Sequence, residues 1–158
     1  MNTATTHVNE LIKNGQLEEL RAAIQNDPEA VSQPDGRGFT PLIMAAYFNN
    51  LVAVELLIEK GVDVNKQDPV GNTALIGTCF KGYLAIAELL IQHGADVNIR
   101  SENGASALVY AVNFNQPEIV KLLLQSGADT DIKDGQGHSL VEQARMKGNS
   151  KIVELLQR

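Results

Sequence analysis

The strongest constraint on this chain is a period of 33 residues. The eleven-residue segment from Glu88 to Asn98 has close copies that begin one period earlier, at Glu55, and one period later, at Lys121. A series of glycines keeps the same spacing: Gly38, Gly71, Gly104 and Gly137. Two signals with one period indicate that a single supersecondary unit recurs along the chain. Such units bury their apolar faces by stacking on their neighbours, so the period predicts an array of layers.

Each unit contains two short helical patterns separated by a break. In the first full unit, Thr40 can cap a helix whose first residue is Pro41, because the N–H that proline lacks would be unpaired there anyway. The second helix ends at Gly61, since glycine tolerates the left-handed conformation. We therefore predict one antiparallel helix pair per unit, followed by an extended finger. In the next unit, we expect Leu89 and Leu90 to lie inside, between neighbouring layers.

The same period sets the domain organisation. A length of 158 residues suits one domain, and a hydrophobic content of 44% suffices for a continuous core. We predict one repeat domain over residues 1–158, with an N-terminal cap at about 1–34, full repeats at about 35–67, 68–100 and 101–133, and a C-terminal cap at about 134–158. The first and last units carry extra charge, as caps with one neighbour require.

Two recurring motifs carry a resemblance to a known family. Gly38-Phe-Thr-Pro-Leu42 stands at a first helix and Gly94-Ala-Asp-Val-Asn98 follows a second one. With the 33-residue period, this pattern resembles ankyrin repeats over essentially the whole chain. The resemblance implies an all-α solenoid of stacked helix-turn-helix pairs joined by β-hairpin-like finger loops.

The chain departs from the family at one motif position. Where the family's Thr-Pro-Leu-His motif has histidine, this sequence has other residues: Ile43, Ile76, Val109 and Glu142. The hydrogen bonds that this histidine supplies between turns are therefore absent. We expect apolar packing to hold those junctions instead.

Charge and cysteine content restrict the class of partner and the compartment. A net charge of −6 argues against nucleic acid, because binding a phosphate backbone takes clustered Lys and Arg. The one cysteine, Cys79, cannot form an internal disulfide. The sequence has no signal-peptide pattern at its start and no long apolar run. We expect a soluble, cytoplasmic protein that binds neither nucleic acid nor membrane and is monomeric when unbound.

Residue types that carry catalysis or bind metals are few and scattered. His7, His93 and His138 lie in different units, without partners at metal-ligand spacing. Cys79 stands where the preceding repeat has Ala46, which indicates a small core residue. We predict no catalytic residue, no metal site, no cofactor and no enzymatic activity. The alternative is a secreted or cytosolic effector or enzyme with an unrecognised site, which would need a pocket with two titratable groups within hydrogen-bond reach.

The positions that differ from repeat to repeat carry the functional prediction. In proteins that resemble this one, the finger tips and the outward positions of the first helix line a concave face that binds partner proteins. Five of the seven aromatic residues of the chain lie at such positions. The predicted protein-binding residues are Arg37, Phe39, Tyr47, Phe48, Asn72, Phe80, Lys81, Asn113, Phe114 and Met146.

These residues lead to the hypothesis of a protein-protein interaction module. A few aromatic side chains with a polar rim are typical of protein interfaces. Binding would act sterically, either by scaffolding the partner or by masking its site, as an inhibitor or immunity-type protein does. A third possibility is that the rings fill space in the structure, and that possibility predicts that they are buried.

Overall fold

The computed structural model describes residues 3–158, so the first two residues of the predicted N-terminal cap lie outside the described residues. Over this range the chain forms five helix pairs, which confirms the all-α solenoid. One 3-10 turn, Pro28–Val31, follows the first pair. The helices are α1 (Thr3–Asn14), α2 (Leu17–Asn26), α3 (Pro41–Tyr47), α4 (Leu51–Glu59), α5 (Ala74–Lys81), α6 (Leu84–Gln92), α7 (Ala107–Asn113), α8 (Pro117–Gln125), α9 (Leu140–Met146) and α10 (Ser150–Leu156).

The helix ends follow the capping chemistry of the sequence. Thr40 caps α3, because its side-chain oxygen accepts a hydrogen bond from the backbone N–H of Ile43 at 3.2 Å. Pro41 is the first residue of that helix, as predicted. Gly61, just after α4, has a φ of +75°, which confirms the left-handed position expected for a glycine there.

The helices stack in two rows that enclose the core. The first helices of the pairs (α1, α3, α5, α7 and α9) contact one another along one row, and α4, α6, α8 and α10 form the other. Leucines at one repeated position are fully buried between the rows: Leu57, Leu90 and Leu123. The prediction for Leu90 is thus confirmed. The prediction for Leu89 is wrong, since its side chain is only half-buried.

Each finger is a tight turn fixed by backbone hydrogen bonds. In the first, the N–H of Asp35 donates to the carbonyl oxygen of Phe39 and the N–H of Gly38 donates to that of Asp35, both at 2.9 Å. The next three fingers repeat this pattern. Isolated antiparallel bridges join Arg100 to Ser106 and Lys133 to Ser139. The fingers are therefore hairpin-like.

Side-chain hydrogen bonds join consecutive repeats in the loops after the second helices, in addition to the apolar burial of Ile43 and Ile76 at the histidine position. The Asn65 amide donates to the carbonyl oxygen of Gly94 at 3.1 Å, and its Oδ1 accepts the N–H of Asp96 at 2.8 Å. These partners lie one repeat further along the chain. The asparagine side chain thus satisfies two backbone groups of the following repeat.

Candidate protein-binding groove

The fingers and first helices of two neighbouring repeats enclose a groove of about 520 Å³ between α3 and α5. Pockets of roughly 300–1,000 Å³ suit the binding of drug-sized ligands. Its lining is mainly apolar and comes from side chains far apart in sequence. Six of the predicted binding residues line it: Arg37, Phe39, Tyr47, Phe48, Asn72 and Phe80.

Four aromatic side chains at and beside the groove remain exposed to solvent. The exposed fractions are 46% for Tyr47, 38% for Phe48, 40% for Phe80 and 47% for Phe114. Phe39 differs, because it is half-buried and packs against the core. Rings that only filled space would be buried, and these four are not.

The exposed rings contact one another in two pairs. The ring centroids of Tyr47 and Phe48 lie 5.3 Å apart, and those of Phe80 and Phe114 lie 4.4 Å apart, both edge to face. Tyr110 stacks on Phe114 at 6.4 Å. Edge-to-face pairs are the favoured arrangement of aromatic rings, so these contacts hold the side chains in position.

Two cations lie over aromatic faces at the groove. The Arg37 guanidinium is 5.4 Å from the Phe39 ring centroid, and the Lys81 ammonium is 4.5 Å from that of Tyr47. A cation is attracted to the negative face of an aromatic ring. Lys81 belongs to the repeat after that of Tyr47, so this contact spans two repeats. It also brings Lys81 next to the groove.

Asp35 anchors Arg37 at this site. Its carboxylate is 2% exposed and lies 3.1 Å from Nη2 of Arg37. Burial raises the pKa of this carboxyl, but hydrogen bonds from the backbone N–H groups of Arg37 and Phe39 lower it. With the further bonds from the Asn9 amide and the guanidinium, the pKa lies below its ordinary value.

The lining also contains a carboxylate, that of Asp68, which already has partners. Its Oδ1 accepts the N–H groups of Val70 at 3.0 Å and Asn72 at 2.8 Å. Its Oδ2 accepts the Asn72 amide at 3.4 Å. The Oδ1 atom of Asn72 has no hydrogen-bond partner among residues 3–158. The role of Asp68 is therefore to close a finger turn.

The remaining predicted residues divide into two groups. Lys81 and Phe114 adjoin the groove through their contacts with Tyr47 and Phe80. Asn113 and Met146 lie further along the stack and do not line it. The Asn113 amide donates to Oε1 of Gln143 at 3.3 Å, while Met146 is 69% exposed. The structure thus brings eight of the ten residues together across the three central helix pairs.

Several groove residues were missed by sequence reasoning. The fingertip residue Val70 is 53% exposed, and Met44, Gly77 and Tyr110 line the groove between the first helices. These last three occupy one position of the repeat, at a spacing of 33 residues. Because they differ from repeat to repeat, the criterion that found the aromatic positions would also have found this one.

The cysteine and two of the histidines considered as catalytic or metal-binding residues are buried or bonded within the fold. Cys79 is fully buried, and burial raises the pKa of its thiol. His93 Nδ1 lies 2.9 Å from the carbonyl oxygen of Leu89, and His138 Nδ1 lies 3.0 Å from Oδ2 of Asp134. Among the described residues, no group of His, Cys, Asp and Glu could hold a metal ion. Within that same range, every helix is too short or too polar to cross a membrane.

Proteins of similar sequence match parts of the chain. A segment of 59 residues is 41% identical to Ankyrin repeat and SAM domain-containing protein 6 of Rattus norvegicus, covering 37% of this chain and 7% of that protein. The Mus musculus protein of that name is 39% identical over 59 residues, with the same coverage. The DNA-binding protein RFXANK of Homo sapiens is 38% identical over 56 residues, 35% of this chain and 22% of that protein. The matches thus span at most 22% of these relatives.

Family models match most of the chain. The model described as ankyrin repeats (3 copies) matches residues 53–134 and 99–158, and the one described as ankyrin repeats (many copies) matches residues 24–77. The first alone covers more than half of the 158 residues. These segments contain the helix pairs and finger turns described above. The chain belongs to the ankyrin-repeat family.

Proposed function

We propose that this protein is a non-catalytic module that binds a partner protein on the face formed by its finger tips and first helices. The observation that carries the proposal is the group of four exposed rings, Tyr47, Phe48, Phe80 and Phe114, beside a groove of about 520 Å³. Large aromatic side chains dominate the energetics of protein interfaces. Ankyrin repeats are generally protein-protein interaction modules, which supports the same function.

The mechanism we propose is steric. A partner held across the first helices is either scaffolded or has its own site masked, as by an inhibitor or immunity-type protein. Catalysis is not part of the proposal, because the groove carboxylate Asp68 already accepts hydrogen bonds from Val70 and Asn72. We further propose that the module is monomeric when unbound and works in the cytoplasm.

The proposed partner is a protein and not a nucleic acid. One relative is named a DNA-binding protein, but this chain carries a net charge of −6. Binding a phosphate backbone depends on clustered Lys and Arg that release counterions. Within residues 3–158, Arg37 and Lys81 are the cations that lie over rings of this aromatic group.

Affinity capture with aromatic variants tests the function. Proteins captured from a lysate by the native chain and by the double variant Phe48→Ala, Phe114→Ala are identified by mass spectrometry. The affinity of a recovered partner is then measured for single variants. We expect Phe48→Ala, Phe80→Ala or Phe114→Ala to weaken binding about tenfold or more, while costing well under the roughly 3–5 kcal/mol of stability that removing a core ring costs.

The matched controls lie on the opposite row of helices. Glu88→Ala on α6 and Gln125→Ala on α8 alter exposed side chains away from the groove, and we expect them to change neither affinity nor stability. Full affinity in all three aromatic variants would contradict the proposed binding face. A sharp fall in their melting temperatures would instead assign the rings to the core.

A further inference from the structure

A glycine inside a helix, Gly77, is part of the groove lining. Gly77 lies in the middle of α5, and its N–H donates to the carbonyl oxygen of Thr73 at 3.2 Å. A Cβ atom built at Gly77 would have no heavy atom within 4 Å. Glycine inside a helix costs stability relative to alanine. Neither the backbone conformation nor the packing of neighbouring atoms requires glycine at this position. The effect of the glycine is the open space that a side chain would otherwise fill.

The neighbouring repeats have large side chains at the same position. Met44 stands one period earlier and Tyr110 one period later, and both line the groove. Gly77 therefore leaves a notch between two bulky neighbours. The apolar side chains of Ile43, Ile76 and Phe80 also line it. A ligand group that enters this notch has to be apolar.

Contacts within the protein hold the walls of the notch in place. The Asn103 amide donates to the Tyr110 hydroxyl at 3.2 Å, and the Tyr110 ring stacks on Phe114. On the opposite side, Tyr47 is held between Phe48 and the Lys81 ammonium. Walls that are ordered before binding lose little conformational entropy when a ligand enters.

The charged side chains at the edge of the groove indicate the charge of a ligand that would bind there. Lys81 forms no ion pair with a carboxylate among residues 3–158, and the Arg37 side chain is 68% exposed despite its bond to Asp35. Both cations stand at the groove of a chain whose net charge is −6. Complementarity of charge favours partners of the opposite sign. Asp35 already pairs with Arg37 and the Asp68 carboxylate also lines the groove, so Lys81 is the cation that a negatively charged group beside the notch would complement.

The exposed apolar surface continues beyond the notch, which favours a polypeptide over a small ligand. Phe114 does not line the groove, yet it is 47% exposed and contacts Phe80 at the groove edge. A single small molecule in the notch would leave that ring uncovered. An extended segment can place one side chain in the notch and others over the ring.

We propose that the Gly77 notch receives one bulky apolar side chain of an extended partner segment, whose neighbouring Asp or Glu side chain pairs with Lys81. This inference rests on the proposed function and names the chemistry of the partner. It assigns the notch to the anchor residue of that segment. The rings of Phe80 and Phe114 cover the residues that follow the anchor.

Selection from a phage library of random short peptides tests the proposal, with the native chain as bait. We expect the selected peptides to share a Phe, Trp, Leu or Ile with an Asp or Glu close by. Gly77→Leu fills the notch and should weaken binding of these peptides about tenfold or more. Lys81→Gln replaces the charged group with a neutral polar one on a slightly shorter side chain, and should abolish the preference for acidic peptides.

Stability measurements separate a filled notch from a damaged fold. Gly77→Ala should raise the melting temperature by about 1–4 °C, because alanine favours the helix. It should weaken binding less than Gly77→Leu does. Unchanged affinity for the selected peptides in Gly77→Leu would overturn the proposal, as would selected peptides without an apolar residue or no selected peptide at all.

Two further outcomes distinguish this inference from the proposed function. If a captured protein partner binds Gly77→Leu normally but loses affinity for Phe80→Ala, the notch assignment is wrong while the binding face stands. If the native chain is a dimer in solution and Gly77→Leu makes it monomeric, the occupant is a second copy of this chain and the proposal is overturned.

Discussion

Two positions of the same repeat behave in opposite ways. At the junction position, Asn65 and Asn98 make the same two bonds to the following repeat: Nδ2 to a glycine carbonyl oxygen at 3.1 and 3.2 Å, and Oδ1 from an aspartate N–H at 2.8 Å in both. At the groove position, Met44, Gly77 and Tyr110 share no chemistry. The asparagines at the junction position make identical contacts because the stacking of repeats depends on them. The side chains at the groove position differ because the stacking does not depend on them.

The same groove position also differs between two junctions of first helices, α3 with α5 and α7 with α9. Between α3 and α5, the groove position combines a large side chain with Gly77 and leaves open space. Between α7 and α9, Gln143 occupies that position and accepts the Asn113 amide at 3.3 Å. A polar pair closes the surface there. One period thus supports both an open and a closed surface.

The largest effect is expected where a repeated core residue is removed. Leu90→Ala should lower the free energy of unfolding by about 2–5 kcal/mol, because Leu90 is fully buried and its loss leaves a cavity. Leu89→Ala, at a half-buried neighbour, should cost less. Urea denaturation followed by circular dichroism measures both. A loss below about 1 kcal/mol at Leu90 would show that the repeated leucines do not form the core.

The next largest effect on stability is expected at Asp35, the aspartate of the first finger. Asp35→Asn should cost about 1.5–3 kcal/mol at neutral pH, because the hydrogen bonds it removes involve a charged group. The new amide would point a donor at the donors of Asn9 and Arg37, which now bond Oδ2 at 3.1 Å. Urea denaturation at neutral pH measures this difference. Glu88→Gln, at an exposed carboxylate, is the control, with an expected change below about 0.5 kcal/mol.

The pH dependence of this effect has a defined sign. The pKa of Asp35 is lowered in the folded protein, so its stabilisation is fully present above the unfolded value of about 3.9 and is lost as pH falls through the folded pKa. The stability difference between the native chain and Asp35→Asn should therefore shrink on acidification below that range. A difference that grows at acid pH would contradict the assignment.

A smaller effect is expected at the junction. Asn98→Ala should cost about 1–2 kcal/mol, since two hydrogen bonds are lost at a solvent-exposed position. The matched control is Asp131→Ala, one period later, because the Asp131 side chain bonds no following repeat within residues 3–158. Equal losses for the two variants in urea denaturation would contradict a junction role for Asn98.

Much of the fold could be predicted because its signals are local. The Thr40 cap, Pro41 at the start of α3 and Gly61 after α4 each depend on a few adjacent residues. The junction bonds of Asn65 could not be predicted in this way, since they join atoms 29 and 31 residues apart. Their geometry depends on how two repeats stack, which the period indicates only in outline.

The candidate site was predictable only as a set of positions. Variation between repeats pointed to Tyr47, Phe48 and Phe80, but it could not tell that Asn113 pairs with Gln143 and lies outside the groove. Gly77 was missed because the absence of a side chain becomes a feature only between larger neighbours. The packing of the repeats determines which of the variable positions line the same groove, and the sequence of one repeat does not show this.

The smallest effect gives the sharpest test of the comparison, because it contrasts two glycines. Gly61 recurs at period 33 and has a φ of +75°, so Gly61→Ala should cost about 1–2 kcal/mol as a left-handed residue with a side chain. Gly77 does not recur, is helical and has free space at its Cβ. Gly77→Ala should therefore stabilise the protein by about 0.5–1 kcal/mol. Thermal and urea denaturation of the two variants measure this difference in sign. If Gly77→Ala destabilises the protein, glycine is required by the fold and its link to the groove fails; if it stabilises the protein while weakening partner binding, the helix gives up stability at Gly77 to keep the groove open.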